Sequence, residues 1–428
     1  MSEAHLLATG FDDQLGFGDA EGPTSTRPGF LGTLRGHGAA IYALAISEEG
    51  WLASGARDDQ VNLWNLSARA GASTLPSRPG LRLEGHKAGV TALAFAPKVL
   101  VSGSADNTTR IWELPSGRTL HVIAHPRTVF GVAIRPPEES SDGEFATACW
   151  DGVVRTFDLR TGSEKARFDL HQGGLYSVAY SPLDGSLLAT ASADRTVRIW
   201  DLRRMELLWT LRGHKDHVTS VDWSPTKPYT LASGSWDRRF RLWEIPTQEV
   251  EGCRSALACS SSLAPKWMAR HPQLIWRVAF APGGTQVATC HGAVGQSPTV
   301  VIYDAASGRV LRQLGRHKDT PLTIAWSPDG LYLASAGMDR KVLLYDSQHP
   351  DDDVSRGDLD SDEEKAQWLE DLEDYRSGAR RDEINASLVA SLAEKVGRLA
   401  NSSGENQTLA ESEGPWNPHP MSGWAAFH

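Results

Sequence analysis

The chain has 428 residues, 40% of them hydrophobic and 22% charged, and a formal net charge of −10. That composition is ordinary for a globular protein, and no apolar run approaches the roughly 18 residues a membrane-spanning helix needs, which excludes an integral helical membrane protein. The charge is local: residues 351–375 hold twelve Asp or Glu against Arg356 and Lys365 and account for all of it, so the neutral remainder shows no basic face of the kind nucleic-acid binders carry.

In chain order, the first 26 residues contain Glu3, Asp12, Asp13, Asp19 and Glu21 but no Lys or Arg, which argues against a secretory or organellar targeting peptide. HLLATGFDDQLGFGD at 5–19 imitates two strands of the repeat that follows, with Thr9 and Asp13 at the repeat spacing. Residues 1–29 are therefore read as an extension with a degenerate repeat-like segment. The short apolar run FLGTL at 30–34 comes next.

One pattern then recurs without gaps: SGARDDQVNLWNL (54–66), SGSADNTTRIWEL (102–114), TACWDGVVRTFDL (147–159), TASADRTVRIWDL (190–202), SGSWDRRFRLWEI (233–245) and SAGMDRKVLLYDS (335–347). Each has a Ser or Thr, an Asp four residues on, and an aromatic six residues after that. A further copy, TCHGAVGQSPTVVIYDA at 289–305, lengthens the turn and lacks the Asp. Upstream of each copy stands a His (His37, His86, His125, His171, His214, His271, His317), followed by a run such as VTALAFAP or VTSVDWSP. These runs alternate or are continuously apolar and end at Pro or Gly, as buried and half-buried strands do. Four strand-like segments every 40 to 55 residues or so predict a β-propeller, because radial stacking covers both faces of a sheet that cannot bury them alone.

Over about residues 30–346 these motifs resemble the WD-repeat family. The resemblance implies a single all-β propeller and hydrogen-bonded tetrads, complete in four repeats: His37-Ser54-Asp58-Trp64, His86-Ser102-Asp106-Trp112, His171-Thr190-Asp194-Trp200 and His214-Ser233-Asp237-Trp243. Trp offers one donor and a carboxylate only acceptors, so a hydroxyl and an imidazole between them complete the network. Phe157 lacks a donor and Tyr345 offers a hydroxyl, so repeats three and seven are expected to be looser. A His, Ser and Asp recurring in register is a brace and not a hydrolase triad, since a site needs one constellation and not four. No phosphate loop or metal-ligand spacing appears, and the chain reads as a non-enzyme without a cofactor or small-molecule substrate. Four cysteines, Cys149, Cys253, Cys259 and Cys290, lack CxxC spacing and read as reduced thiols in the cytoplasm or nucleus. Seven blades fit if Phe30–Leu34 supplies the last outer strand and removes the open edge; an eighth blade built on residues 5–19 is the alternative.

The family's binding rim is built by the residue before each turn Asp and by residues just after each His. Those positions hold Arg57, Trp150, Trp236 and Met338, and Lys87, Arg127, Lys215, His217 and Lys318. Cationic and aromatic types dominate protein hot spots, which points to an acidic or hydrophobic peptide as the ligand. Residues 347–428 form a tail: a capping box at Ser361 and Glu364 opens one short helix, Ile384 to Leu399 marks a second, and the end carries Trp416, Trp424 and Phe427. The acidic run is either a solvated spacer or a segment that masks the cationic rim. The expected function is a scaffold or adaptor that binds other proteins and neither nucleic acid nor membrane. The alternative is a substrate receptor of a cullin-RING ubiquitin ligase, because Phe157-Asp158-Leu159-Arg160 and Trp200-Asp201-Leu202-Arg203 resemble tandem WD-x-Arg boxes, the first departing from the pattern at Phe157.

Overall fold

The computed structural model describes residues 29–66, 75–76, 78–136, 143–183, 185–246, 263–292 and 299–347. The repeat-like segment at 5–19, Cys253, Cys259, the acidic run, the two tail helices and the aromatic end lie outside the described residues.

Blade four shows how the local sequence makes the unit. Leu175–Tyr180, Leu187–Ser192, Val197–Asp201 and Glu206–Leu211 pair as an antiparallel meander. The second strand, LLATAS, is buried at every position, whereas the outer strand, ELLWTL, is only partly covered. The hairpin between the second and third strands turns on Asp194 and Arg195. Arg195 takes φ 69°, a left-handed conformation that costs an L-residue roughly 1–2 kcal/mol. Asp194 offsets this by accepting the Thr196 N–H at 3.0 Å and the Thr196 hydroxyl at 2.6 Å. The same device recurs at Asp58, Asp106, Asp151, Asp237 and Asp339, each accepting the N–H two residues on.

Seven such four-stranded sheets are present among the described residues. The first strand of each packs against the first strand of the next, and Pro321–Trp326 packs against Ile41–Ile46, so the ring closes around one axis. Closure uses the N-terminal strand. Phe30–Arg35 runs antiparallel to Lys341–Asp346 as the outer strand of sheet seven, with Phe30 opposite Tyr345 and Arg35 opposite Lys341. The fold is thus a seven-bladed β-propeller.

The core is divided in the same way, with one apolar cluster between each pair of neighbouring sheets. Trp64, Trp112, Trp200, Trp243 and Tyr345 are the largest fully buried rings, and truncating one to Ala should cost about 3–5 kcal/mol. The second strands must be slim because the next blade presses on them. At Gly55 a Cβ would stand 2.6 Å from Val90 of blade two.

Every first strand carries a bulge at its second residue: Tyr42, Thr91, Phe130, Tyr176, Thr219, Trp276 and Leu322. A bulge re-aims one side chain out of the alternation. In blades two and five the threonine hydroxyl bonds the first strand of the next blade, Thr91 to Val129 O and Thr219 to Ile275 O, the latter at 2.8 Å. In four others the bulged residue is aromatic: Tyr42, Phe130, Tyr176 and Trp276.

Candidate functional site

A meander reverses after each strand, so the loop carrying the His and the hairpin carrying the Asp emerge at one end of every sheet, here the upper face. In blade one, His37 Nδ1 lies 3.1 Å from Asp58, His37 Nε2 lies 2.8 Å from Ser54 Oγ, and Trp64 Nε1 donates to Ser54 Oγ at 3.1 Å. Blade two repeats this with His86, Asp106, Ser102 and Trp112 at 2.9, 2.7 and 2.8 Å. In blade four the distances joining His171, Asp194, Thr190 and Trp200 are 2.7, 2.7 and 3.1 Å. Blade five joins His214, Asp237, Ser233 and Trp243 at 2.9, 2.8 and 2.9 Å.

With each imidazole neutral and protonated on Nδ1, every bond has one donor: indole to hydroxyl, hydroxyl to Nε2, Nδ1–H to carboxylate. Burial agrees with that assignment by holding His86, His171 and His214 below the usual imidazole range. Burial opposes ionisation of Asp194, yet its bonds to His171 and Thr196 and the charge of Arg198 hold its carboxyl well below the usual range. The hydroxyls cannot serve as nucleophiles. Ser54, Ser102, Thr190 and Ser233 are 0% exposed and already bonded on both sides.

The remaining blades depart from this arrangement in different ways. Blade seven keeps the two bonds of its imidazole, His317 to Asp339 at 2.9 Å and to Ser335 at 2.7 Å, with Tyr345 standing in place of the indole. Blade three is rewired. Arg155 holds Asp151 through two bonds of 3.2 and 2.7 Å, and His125 turns to Thr109 of blade two at 3.0 Å, its ring edge-on to Phe157. In blade six His271 bonds the Tyr303 hydroxyl at 3.0 Å, and the His291 ring packs against it at 4.5 Å.

The braces fix the loops that carry the rim. Asp106, Asp237 and Asp339 also accept the backbone N–H of Lys87, Lys215 and Lys318 at 2.9, 2.9 and 3.2 Å. The side chains of Arg57, Lys87, Arg127, Lys215 and Lys318 are exposed, and Trp150, His217 and Met338 are half-buried. Trp236 corrects the reading of it as an open rim residue: it is only 6% exposed. It stacks on His217 at 4.9 Å and meets Tyr176 and Trp276 each at 5.6 Å.

Those contacts belong to a continuous arc. Phe130 meets Trp150 at 5.4 Å and Tyr176 at 5.5 Å, Trp150 meets Tyr176 at 5.1 Å, and Tyr176 meets His217 at 5.8 Å. The Tyr176 hydroxyl bonds His217 Nδ1 at 3.1 Å. Six rings from blades three to six thus form one cluster at the upper face, with Tyr176 and Trp236 buried and Phe130, Trp150, His217 and Trp276 half-buried. Gly174 makes room for it, since a Cβ there would sit 2.3 Å from the Trp150 ring. Phe130, Tyr176 and Trp276 were not singled out in the sequence. Their signal was available, for each stands five residues after the repeat His, at the bulge.

On the opposite face, the aspartates of the WD-x-Arg-like boxes cap turns. Asp158 accepts the N–H groups of Arg160 and Thr161 at 3.1 and 2.7 Å, and Asp201 those of Arg203 and Arg204 at 2.8 and 3.0 Å. Asp304 does the same for Ala306 and Ser307, where no arginine follows in the box position. Arg160 and Arg203 are exposed.

A family model described as WD domain, G-beta repeat matches residues 29–65, 77–113, 162–201, 205–244 and 308–346. With seven closed blades this makes the chain a member of the WD-repeat β-propeller family. Blades three and six, whose braces are altered, are not matched at their second and third strands. Among curated proteins, Mitochondrial division protein 1 of Neurospora crassa is 33% identical over 192 residues, 33% of this chain and 29% of its own length. The Saccharomyces cerevisiae protein of that name is 32% identical over 163 residues, 31% of this chain and 23% of its own. The CCR4-associated factor 4 homolog of Candida glabrata is 33% identical over 174 residues, 35% of this chain and 29% of its own. The chain spans less than a third of the length of these relatives.

Proposed function

We propose that this protein is a non-enzymatic adaptor that holds other proteins on the upper face of the propeller, through the aromatic arc and the exposed cations around it. The arc is the observation that carries this. Rings are the side chains that concentrate binding energy in protein interfaces, and here the half-buried Phe130, Trp150, His217 and Trp276 are pre-positioned by packing on the buried Tyr176 and Trp236, so little entropy is lost on association. The cations at Arg57, Lys87, Arg127 and Lys318 favour an acidic partner segment and speed its encounter. The name CCR4-associated factor, carried by one relative, is consistent with such work. Cytoplasm or nucleus is the proposed location, and the buried free thiols of Cys149 and Cys290 support it.

The test is capture of partners by the full chain, with quantification by mass spectrometry. Charge reversal at Lys87, Arg127 and Lys318 should release partners while shifting stability by less than about 0.5 kcal/mol per site. Alanine at Arg160 and Arg203, on the opposite face, should release none. The reverse pattern favours the ligase-receptor reading, and release by neither variant rules out both faces.

A further inference from the structure

A pocket of about 360 Å³ opens on the upper face of blade five. Three separate segments line it. Lys215 comes from the His loop, Arg238 and Arg239 from the hairpin, and Arg270 from the end of the outer strand Trp267–Arg270. Trp236 forms part of the wall, and its enclosed Nε1–H has no acceptor among the described residues. The carboxylates present are already engaged: Asp237 receives His214 and the N–H groups of Lys215 and Arg239, and Asp216 receives the N–H of His217. Lys215, Arg238 and Arg270 are exposed side chains that meet no carboxylate among the described residues. These three cations therefore line the pocket beside two carboxylates whose acceptor sites are already taken by backbone and imidazole donors.

We infer that this pocket binds a phosphate group carried by a partner polypeptide, an inference that rests on the adaptor reading and deepens it. Three exposed cations that meet no carboxylate suit a phosphate dianion and overmatch a single carboxylate. A guanidinium fork pairs bidentately with either group, but the three terminal oxygens of a phosphate can serve two guanidinium groups and an ammonium together, whereas the two oxygens of a carboxylate are taken up by one fork. Trp236 belongs to both the pocket wall and the arc, so residues flanking the modified one pass the half-buried rings of His217 and Trp276 that cover it. Phosphorylation of the partner then controls assembly.

The probe is N-acetyl-O-phosphoserine amide, compared with its serine and glutamate counterparts, each added to full-length protein labelled at the tryptophan indoles. The Trp236 indole resonance, identified through Trp236→Phe, should move with the phosphoserine compound at millimolar concentration. The glutamate compound should bind at least about tenfold more weakly, a difference of 1.4 kcal/mol. Arg238→Ala with Arg270→Ala should weaken phosphoserine binding by at least about tenfold. If Trp236→Phe does not fold, calorimetry on the arginine variant carries the test alone. No response up to about 10 mM, a Kd near the −2.7 kcal/mol limit, overturns the assignment. So does an equal response to glutamate, or binding undiminished in the arginine variant. If charge reversal at Lys87, Arg127 and Lys318 still releases partners while the phosphoserine compound fails to bind, the phosphate site falls and the adaptor reading stands. If the reversal releases nothing, the adaptor reading falls whatever the probe does.

Discussion

In blade four, His171 reaches Asp194 at 2.7 Å and Arg198 waits at 4.0 Å; in blade three, Arg155 takes Asp151 at 2.7 Å and His125 faces away to Thr109. Both blades carry His, Thr, Asp and an arginine four residues after the Asp. The difference begins at one ring. Trp200 donates its N–H to Thr190, which turns the hydroxyl toward His171. Phe157 donates nothing, Thr147 Oγ1 has no partner among the described residues, and Phe145 stacks on Phe157 at 5.3 Å. The missing donor does not act alone, since blade seven keeps both bonds of His317 around Tyr345 with Leu343 at the arginine position; in blade three it acts together with Arg155, which takes the carboxylate. The two blades keep the same backbone turn, because the Asp accepts the N–H two residues on in both.

The largest effect should come from removing those carboxylates. Asp151→Ala leaves the buried Arg155 guanidinium uncompensated and should cost about 3–5 kcal/mol in denaturant unfolding, most of it recovered by adding Arg155→Met. Asp194→Ala should cost about 2–3 kcal/mol and should not be recovered by Arg198→Met, because the imidazole and the turn lose their acceptors too. Equal recovery in both blades would erase the distinction between the two braces.

Acid should sharpen the comparison through His125. Burial, with the charge of Arg155 adding to it, pushes its imidazole down to about 4 from an ordinary 6.5. Below pH 6.5 the unfolded chain binds a proton that the folded chain refuses, so the contribution of His125 is complete above 6.5 and is lost as pH falls toward 4. The loss amounts to at most about 3 kcal/mol. Asp222 works the other way: burial raises it to about 6, so between roughly 4 and 6 the folded state gains stability on acidification. The measurement is therefore a difference, unfolding free energy against pH for the protein and for His125→Gln. A slope unchanged by the substitution would remove His125 from the acid response.

The smallest effects should come from exchanging the rings. Trp200→Phe takes a donor from Thr190 and fills less space, at about 1–3 kcal/mol. Phe157→Trp should change stability by less than about 1.5 kcal/mol, since overpacking beside Phe145 offsets the new bond to Thr147. A large gain in blade three would mean that the aromatic alone decides which brace forms.

The seven repeats, the closing strand and four of the braces were legible because they are written at short, fixed spacings. Each His lies 20 to 23 residues from its Asp within one sheet, so alignment of the copies brings them together. The altered blades were legible only as departures. Phe157 announced a missing donor, but the sequence did not reveal that Arg155 would take its place, nor that blade seven would keep three members of its brace around Tyr345. Exposure was harder still. Trp236 occupies a rim position in the repeat, yet it is covered by His217, Tyr176 and Trp276, which lie 19, 60 and 40 residues away in the chain.

What the sequence by itself determined is everything that repeats inside one sheet: strand order, turn, brace and the small residues that let blades approach. What only the tertiary structure decided is what different blades do to each other. The bulge at the second residue of each first strand re-aims that side chain, and the ring of seven sets the distance between neighbours. Six aromatic rings from four blades therefore meet as one cluster at the upper face. That arrangement does not follow from local spacing, because the angle between adjacent sheets is fixed by the packing of the apolar clusters between them and not by any single repeat.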